Sequence, residues 1–366
     1  MKKILAFADF PSPYRVEVFK GLSQKYDLTV YFDKMSDQNR NAAWFCKNTG
    51  LNSYSLLDAK GKATFEKDIK NLKAYDLILA YDYHIKNAIK LQIACIIQNK
   101  PYVMNLDGAF IRKNPLKNIV KRLLIKNAAG YFASGEYAKK YFMHFGAKED
   151  KIFLHPFTSL HENEILERPL TVESKETIRK ELNIKNRKTV ISIGQFIPRK
   201  GFDTLLNAWG DLDNECQLLI IGGGNEKALY EKMIKEYGYS NVFLLDYMPK
   251  DKLFRFYKAA DVFALATRED IWGLVVNEAL ANGIPVVTTD QCLGGVELIR
   301  NGENGYIVPV NEVKELHRKI KELLYNRNSR NISQKCINSI KRYTYENVVE
   351  EHEKAIEFIL NQSRVQ

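Results

Sequence analysis

Residues 261–287 leave this chain few choices of fold. The run DVFALA at 261–266 has the length and apolar content of a buried strand, and a polar loop follows it. A helix opens near Gly273, and a second strand is expected at 284–287. Strand, loop, helix, strand is one step of a parallel sheet, which places the helix mouth at the carboxyl edge of the first strand. A helix mouth presents unpaired N–H groups and the positive end of its dipole, which suits a phosphate. Two carboxylates bracket this mouth. Asp270 lies in the loop before it, and Glu278 about a turn and a half inside, facing the same crevice. Cationic backbone flanked by acceptors for hydroxyls describes a site for a diphosphate that carries a sugar.

Asp270-x7-Glu278, with Gly273-Leu274-Val275 between and Ala279-Leu280-Ala281 after, resembles the acidic signature of family 4 glycosyltransferases, retaining enzymes of the GT-B fold. That family usually has Glu at the first acidic position. Counted back from Gly273 the position falls on Asp270, one methylene shorter in reach. A second segment matches the family in register. The strand at 189–193 leads through Gly194 and Phe196 to Arg199-Lys200-Gly201 before a helix. A departing nucleoside diphosphate carries about two to three negative charges. In the absence of a metal, fixed cations must balance them, and Arg199 with Lys200 can straddle the phosphates while Gly201 lets backbone come close. An isolated Arg-Lys-Gly or two scattered acids would mean little in an α/β domain; the pairing of the two segments carries the resemblance.

The resemblance implies an α/β chain of GT-B type, with two Rossmann-like doubly wound domains facing each other across a cleft and a C-terminal helix crossing back to the first. At 366 residues the chain is too long for one core, in keeping with two domains. Strand runs at 4–7, 28–32, 77–80, 102–106 and 131–133 alternate with helical segments, giving a doubly wound domain over 1–165 that the resemblance makes the acceptor-binding one. The polar stretch 34–52 reads as a loop or irregular insertion, and 156–173 as the linker. A nucleotide-sugar domain is expected over 175–344, with the crossing helix in 345–366. On the donor side, Gly223 follows a buried strand, and Tyr247 and Met248 lie in a loop resembling the family's base-reading segment. On the acceptor side the family's glycine turn is replaced by Ser-Pro-Tyr-Arg, offering Tyr14 and Arg15. His84 and Asp107 follow two further strands, and either could hold or deprotonate a hydroxyl. Asp211-Leu212-Asp213 has the spacing of a metal-binding DxD but falls between a helix and a strand, so it is read as a turn.

The formal charge of +11 allows nucleic acid, anionic membrane or phosphorylated ligands as partners, or simply a lysine-rich surface. Residues 112–126, RKNPLKNIVKRLLIK, place Leu116, Ile119, Val120, Leu123 and Leu124 on one helical side. Lys113, Lys117, Lys121 and Arg122 are among the cations around it, with no acid in the stretch. Such a helix suits an anionic bilayer, with about 1 kcal/mol from each surface cation. A core-packed helix with a basic outer face is the alternative. No nucleic-acid module is seen. Five widely spaced cysteines without metal-ligand spacing suggest reduced thiols. Those thiols point to a cytoplasmic protein, and the basic helix to one peripheral on the inner face of the plasma membrane; no stretch is apolar enough to cross a bilayer.

The resemblance therefore implies transfer from a nucleotide-diphosphate sugar to a glycan, lipid-linked in the family members with basic acceptor domains. It implies neither cofactor nor metal. Asp270, Lys200, Arg199 and Asp107 are the expected catalytic groups. Gly201, Gly223, Gly273, Leu274, Val275 and Glu278 are expected to line the donor. Alternatives are a GT-B epimerase or phosphorylase and a non-catalytic GT-B scaffold or binding protein.

Overall fold

The computed structural model describes residues 1–36, 45–46, 48–112, 114–210, 212 and 215–362. Lys113, Asp211 and Asp213 lie outside these residues, as does part of the stretch 34–52. The chain divides into two compact units, Met1–Thr158 with Thr344–Gln366, and Ser159–Tyr343. The expected linker 156–173 is shared between them: 156–158 belong to the first, the remainder to the second.

The first unit holds a parallel sheet ordered β3-β2-β1-β4-β5-β6-β7. Its strands are β1 (Lys3–Ala8), β2 (Asp27–Phe32), β3 (Ser53–Ser55), β4 (Leu77–Ala80), β5 (Tyr102–Leu106), β6 (Gly130–Ala133) and β7 (Ile152–Leu154). Period-two alternation splits the β1 side chains between the two faces. Ile4, Ala6 and Ala8 join one core cluster, Leu5 and Phe7 the other. Helix α1 (Pro13–Ser23) starts with Pro at its first position, where a missing N–H costs nothing. Helices α2 (Ala59–Lys70), α3 (Lys86–Ile97), α4 (Pro115–Lys126) and α5 (Glu136–His144) follow. β3 and β7 have no counterpart in the sequence reading. At three residues each they are too short to show a period, and they form by pairing with β2 and β6.

The second unit has the order β10-β9-β8-β11-β12-β13, again parallel. Its strands are β8 (Lys188–Gln195), β9 (Cys216–Gly223), β10 (Val242–Asp246), β11 (Val262–Leu265), β12 (Val286–Thr289) and β13 (Gly305–Val308). The helices are α6 (Val172–Glu181), α7 (Phe202–Trp209), α8 (Lys227–Glu236), α9 (Lys250–Ala259), α10 (Leu274–Ala281), α11 (Leu293–Leu298), α12 (Val313–Leu324) and α13 (Ser329–Ile340). The chain order reverses between β8 and β11, and ligands of such sheets bind at the carboxyl edge of that switch point. Arg199-Lys200 follows β8, and Asp270 follows β11.

The last helix, α14 (Tyr345–Gln362), packs in the first unit. Val348, Ala355, Ile356 and Ile359 enter its core, and Gly21 lets Val349 approach α1 where any Cβ would come within 2.4 Å. Helix α4 departs from a buried amphipathic helix. Of its apolar residues only Leu124 and Ile125 are buried, while Leu116, Ile119 and Leu123 are 78%, 65% and 50% exposed.

Candidate functional site

After β8 the chain makes a 3-10 turn, Pro198–Lys200, and reaches Gly201 in the left-handed region at φ +66°. A Cβ there would stand 2.0 Å from the Ala266 carbonyl oxygen, so only glycine lets this turn lie against the loop after β11. Arg268 bolts the same two loops together. Its guanidinium donates to both oxygens of Asp203 (2.9 and 2.7 Å) and to the Pro198 carbonyl (2.6 Å), while its N–H donates to the Arg199 carbonyl (2.8 Å).

This bolt sets the cations beside Asp270. Lys200 Nζ donates to Asp270 Oδ2, with both side chains about nine-tenths buried, and Arg199 Nη1 lies 3.8 Å from Oδ1. Burial opposes ionisation of Asp270, but the charge and hydrogen bond of Lys200 outweigh it and hold the carboxyl below its ordinary range. The Asp270 backbone is fixed to the loop before α11 through Asp270 N–H to Gln291 O (2.8 Å) and Leu293 N–H to Asp270 O (3.0 Å).

Gly273 opens α10 at φ +85° without a side-chain cap. The N–H groups of Leu274 and Val275, in the first turn, have no carbonyl a turn back to bind, so the mouth remains an anion acceptor. It sits on buried Trp272, whose carbonyl accepts the Gly294 N–H (2.9 Å); a Cβ at Gly294 would come within 2.4 Å of that oxygen.

Glu278 is buried on the same helix. Its Oε1 accepts from Ser159 Oγ (2.8 Å) and its Oε2 from Tyr257 Oη (3.0 Å). Burial raises its pKa; Lys250 and the two hydroxyls pull the other way. Lys250 Nζ holds the Ser159 carbonyl and Glu164 Oε2, both at 2.6 Å. Ser159, Tyr257 and Lys250 were missed from sequence. No local pattern marks them, because Ser159 lies 119 residues from the carboxylate it serves.

Of the remaining donor-side candidates, Gly223 faces open space. Its neighbours Gly222 and Gly224 are the constrained ones: a Cβ would meet Gly194 O at 1.9 Å or Phe196 O at 2.6 Å. Tyr247 is partly exposed and Met248 buried, both just past β10. Asp270, Arg199, Lys200 and Gly201 are thus brought together, with Gly273, Leu274 and Val275 at the adjoining helix mouth. Glu278 lies further along α10, and the Tyr247–Met248 loop follows the edge strand.

The first unit gathers the acceptor-side candidates at its own carboxyl edge. Arg15 Nη2 donates to both oxygens of Asp107, at 2.8 and 2.7 Å, and its guanidinium lies 4.2 Å over the Tyr81 ring. Burial works against the Arg15 charge, but Asp107 and the tyrosines more than restore it. Tyr14 packs edge-on against Phe157. His84 is mostly exposed, with Nδ1 3.7 Å from Asp82 Oδ1. On α4, Lys117 and Arg122 are exposed, whereas Lys121 lies over Tyr83, Tyr141 and Phe145.

Residues 174–342 match the glycosyl transferases group 1 family. Among curated proteins, the lipopolysaccharide core biosynthesis glycosyltransferase LpsE of Rhizobium meliloti is 32% identical over 135 residues, 37% of this chain and 39% of that one. A GDP-mannose-dependent alpha-(1-6)-phosphatidylinositol monomannoside mannosyltransferase of Mycobacterium tuberculosis is 30% identical over 161 residues, 41% of this chain and 42% of that one. The matches thus span about two fifths of these relatives' length. Among solved structures, HepE of Anabaena in complex with UDP aligns over 98% of this chain and 100% of its own, at TM-score 0.78 and 17% identity. WaaG, a glycosyltransferase involved in lipopolysaccharide biosynthesis, aligns over 95% and 98% at TM-score 0.69 and 14% identity. The frame of two parallel α/β units is that of the GT-B fold.

Proposed function

We propose that the chain, whose residues 174–342 match the glycosyl transferases group 1 family, transfers a sugar from a nucleotide-diphosphate donor to a glycan acceptor, with retention at the anomeric carbon. The observation that carries this reading is the junction of Lys200, Arg199 and Asp270 at the switch-point edge, next to the uncapped mouth of α10. The diphosphate meets Lys200, Arg199 and the amides of Leu274 and Val275. Asp270 holds a sugar hydroxyl, and Glu278, steadied by Ser159 and Tyr257, takes the ribose. As the bond from C1 to the phosphate oxygen breaks, the acceptor oxygen bonds to C1 and its proton passes to the departing diphosphate. Fixed positive charge where that negative charge develops is the main catalytic contribution, and this reading calls for no metal.

Supporting a nucleotide donor are the similar structure of HepE, which is a complex with UDP, and a relative named for its dependence on GDP-mannose. Incubation with UDP-, GDP- and dTDP-sugars, followed by NMR of the released or transferred sugar, tests the proposal. Diphosphate release with the donor's anomeric configuration kept is expected. Inversion overturns retention, and no turnover of any donor overturns the transferase.

The acceptor is proposed to be lipid-linked and reached at an anionic membrane. Exposed Leu116, Ile119 and Leu123 share α4 with exposed Lys117 and Arg122, the composition of a helix that inserts its apolar side among charged headgroups. Sedimentation with phosphatidylglycerol liposomes is expected at low salt, and release at about 1 M, where the screening length falls to about 3 Å. Ile119→Glu should abolish it without changing the melting temperature. Binding that ignores both salt and Ile119→Glu would assign the helix another role.

A further inference from the structure

The two acids that follow and enter α10 are held by different means. Asp270 is engaged directly by a cation, Lys200. Glu278 is held by hydroxyls, Ser159 Oγ on Oε1 and Tyr257 Oη on Oε2. Its cation stands one step back. Lys250, the first residue of α9, places Nζ on the carbonyl of that same Ser159 and on Glu164 Oε2, both at 2.6 Å. Glu164 closes the 3-10 turn Glu162–Glu164, where His161 fixes it from both directions. The His161 N–H donates to Glu164 Oε2 (2.7 Å), and its ring accepts the Glu164 N–H. One ammonium thus ties three things together: the segment carrying Ser159, the turn carrying Glu164, and the start of α9.

The same groups act on the Glu278 charge. Burial raises its carboxyl above the ordinary glutamate range. Lys250 is the strongest influence resisting the rise, ahead of the Ser159 and Tyr257 hydroxyls, while Glu164 adds to it. Lys250 and Glu164 are bonded to each other, yet they push Glu278 in opposite directions. A purely mechanical clamp carries no such sign.

We propose that Lys250 is a positioning residue for the nucleotide: through Ser159 it aims the Glu278 carboxylate, and through its field it keeps that carboxylate charged for the ribose. The assignment rests on Glu278 taking the ribose, as in the donor reading above. An ionised carboxylate offers acceptors on both oxygens and makes the stronger bond to a hydroxyl, whereas a protonated one turns one oxygen into a donor.

Calorimetric titration of UDP and GDP between about pH 5 and pH 8, in the parent and four variants, tests this. Affinity should fall as the pH drops and Glu278 takes up a proton; the ligand's own phosphate titration is common to all the proteins and cancels in the comparison. In Lys250→Met the fall should begin at higher pH, leaving binding about tenfold or more weaker than in the parent near pH 6 but within about threefold near pH 8. Lys250→Arg should restore the parental curve. Glu164→Gln disrupts the same ion pair, yet it should move the fall to lower pH. Ser159→Ala should cost about fivefold even near pH 8, where the charge is not limiting and only the aim is lost. Should Lys250→Met not fold, the direction of the Glu164→Gln curve decides. Curves that stay at the parent's position, or that move the same way in Lys250→Met and Glu164→Gln, overturn the proposal, as does full affinity in Ser159→Ala. Those outcomes reject Lys250 alone. Absence of UDP and GDP binding by the parent at every pH rejects the donor reading itself.

Discussion

Lys200→Ala should lower sugar transfer by about 10²- to 10³-fold, about 2.7–4 kcal/mol of barrier, the usual cost of removing one fixed group that stabilises charge developing in a transition state. The ammonium sits where a leaving diphosphate would need it, and Asp270 holds it there before any ligand arrives. Removing it also strips the buried Asp270 of its main partner, so some loss of stability accompanies the loss of rate. Asp270→Asn separates the two effects. It frees Lys200 from its carboxylate, so nucleoside diphosphate should bind at least as well as to the parent, while transfer falls because a sugar contact is altered. Transfer by Lys200→Ala at the parental rate would take Lys200 out of the mechanism.

Asp107→Ala is expected to destabilise the first unit by about 3–5 kcal/mol, the range for removing one partner of a buried ion pair. The loss is large because Arg15 would be left buried, with its guanidinium over Tyr81 and no carboxylate to receive it. Denaturant unfolding measures this directly. A double replacement, Arg15→Met with Asp107→Leu, removes both charges and should lie much closer to the parent. Equal losses in single and double variants would show that the pair contributes packing and not charge.

Much of the cluster around Asp270 was legible from sequence because its parts are local. Asp270, Gly273 and Glu278 lie within nine residues, and the strand–loop–helix pattern that carries them follows from hydrophobic run lengths and turn residues alone. Arg199-Lys200-Gly201 was legible for the same reason, as a turn after a strand. What stayed hidden depends on distant pairing. Sequence offered Arg15 and Asp107 as two acceptor-side residues, but not that they neutralise one another across 92 positions. Nor did it reveal that Ser159 and Tyr257 would hold Glu278, or that the Asp9 N–H would hold the Asp82 carboxylate. Helix α4 illustrates a different limit. The period of its apolar residues identified a helix with an apolar side, yet period says nothing of what covers that side, and it lies exposed. At the glycines where β9 ends the order of importance was shifted by one. Gly223 attracted attention in a run of three, while the close approaches occur at Gly222 and Gly224, because strand pairing and not sequence position decides which Cα meets a neighbour's carbonyl.

Calorimetric titration of UDP, GDP and dTDP into the parent protein and into Lys200→Ala tests most directly whether the edge after β8 and β11 is a diphosphate site. At least one diphosphate should bind the parent saturably and bind Lys200→Ala tenfold or more weakly, a difference of about 1.4 kcal/mol or greater. Absence of binding by all three, or equal affinity in parent and variant, would contradict the account.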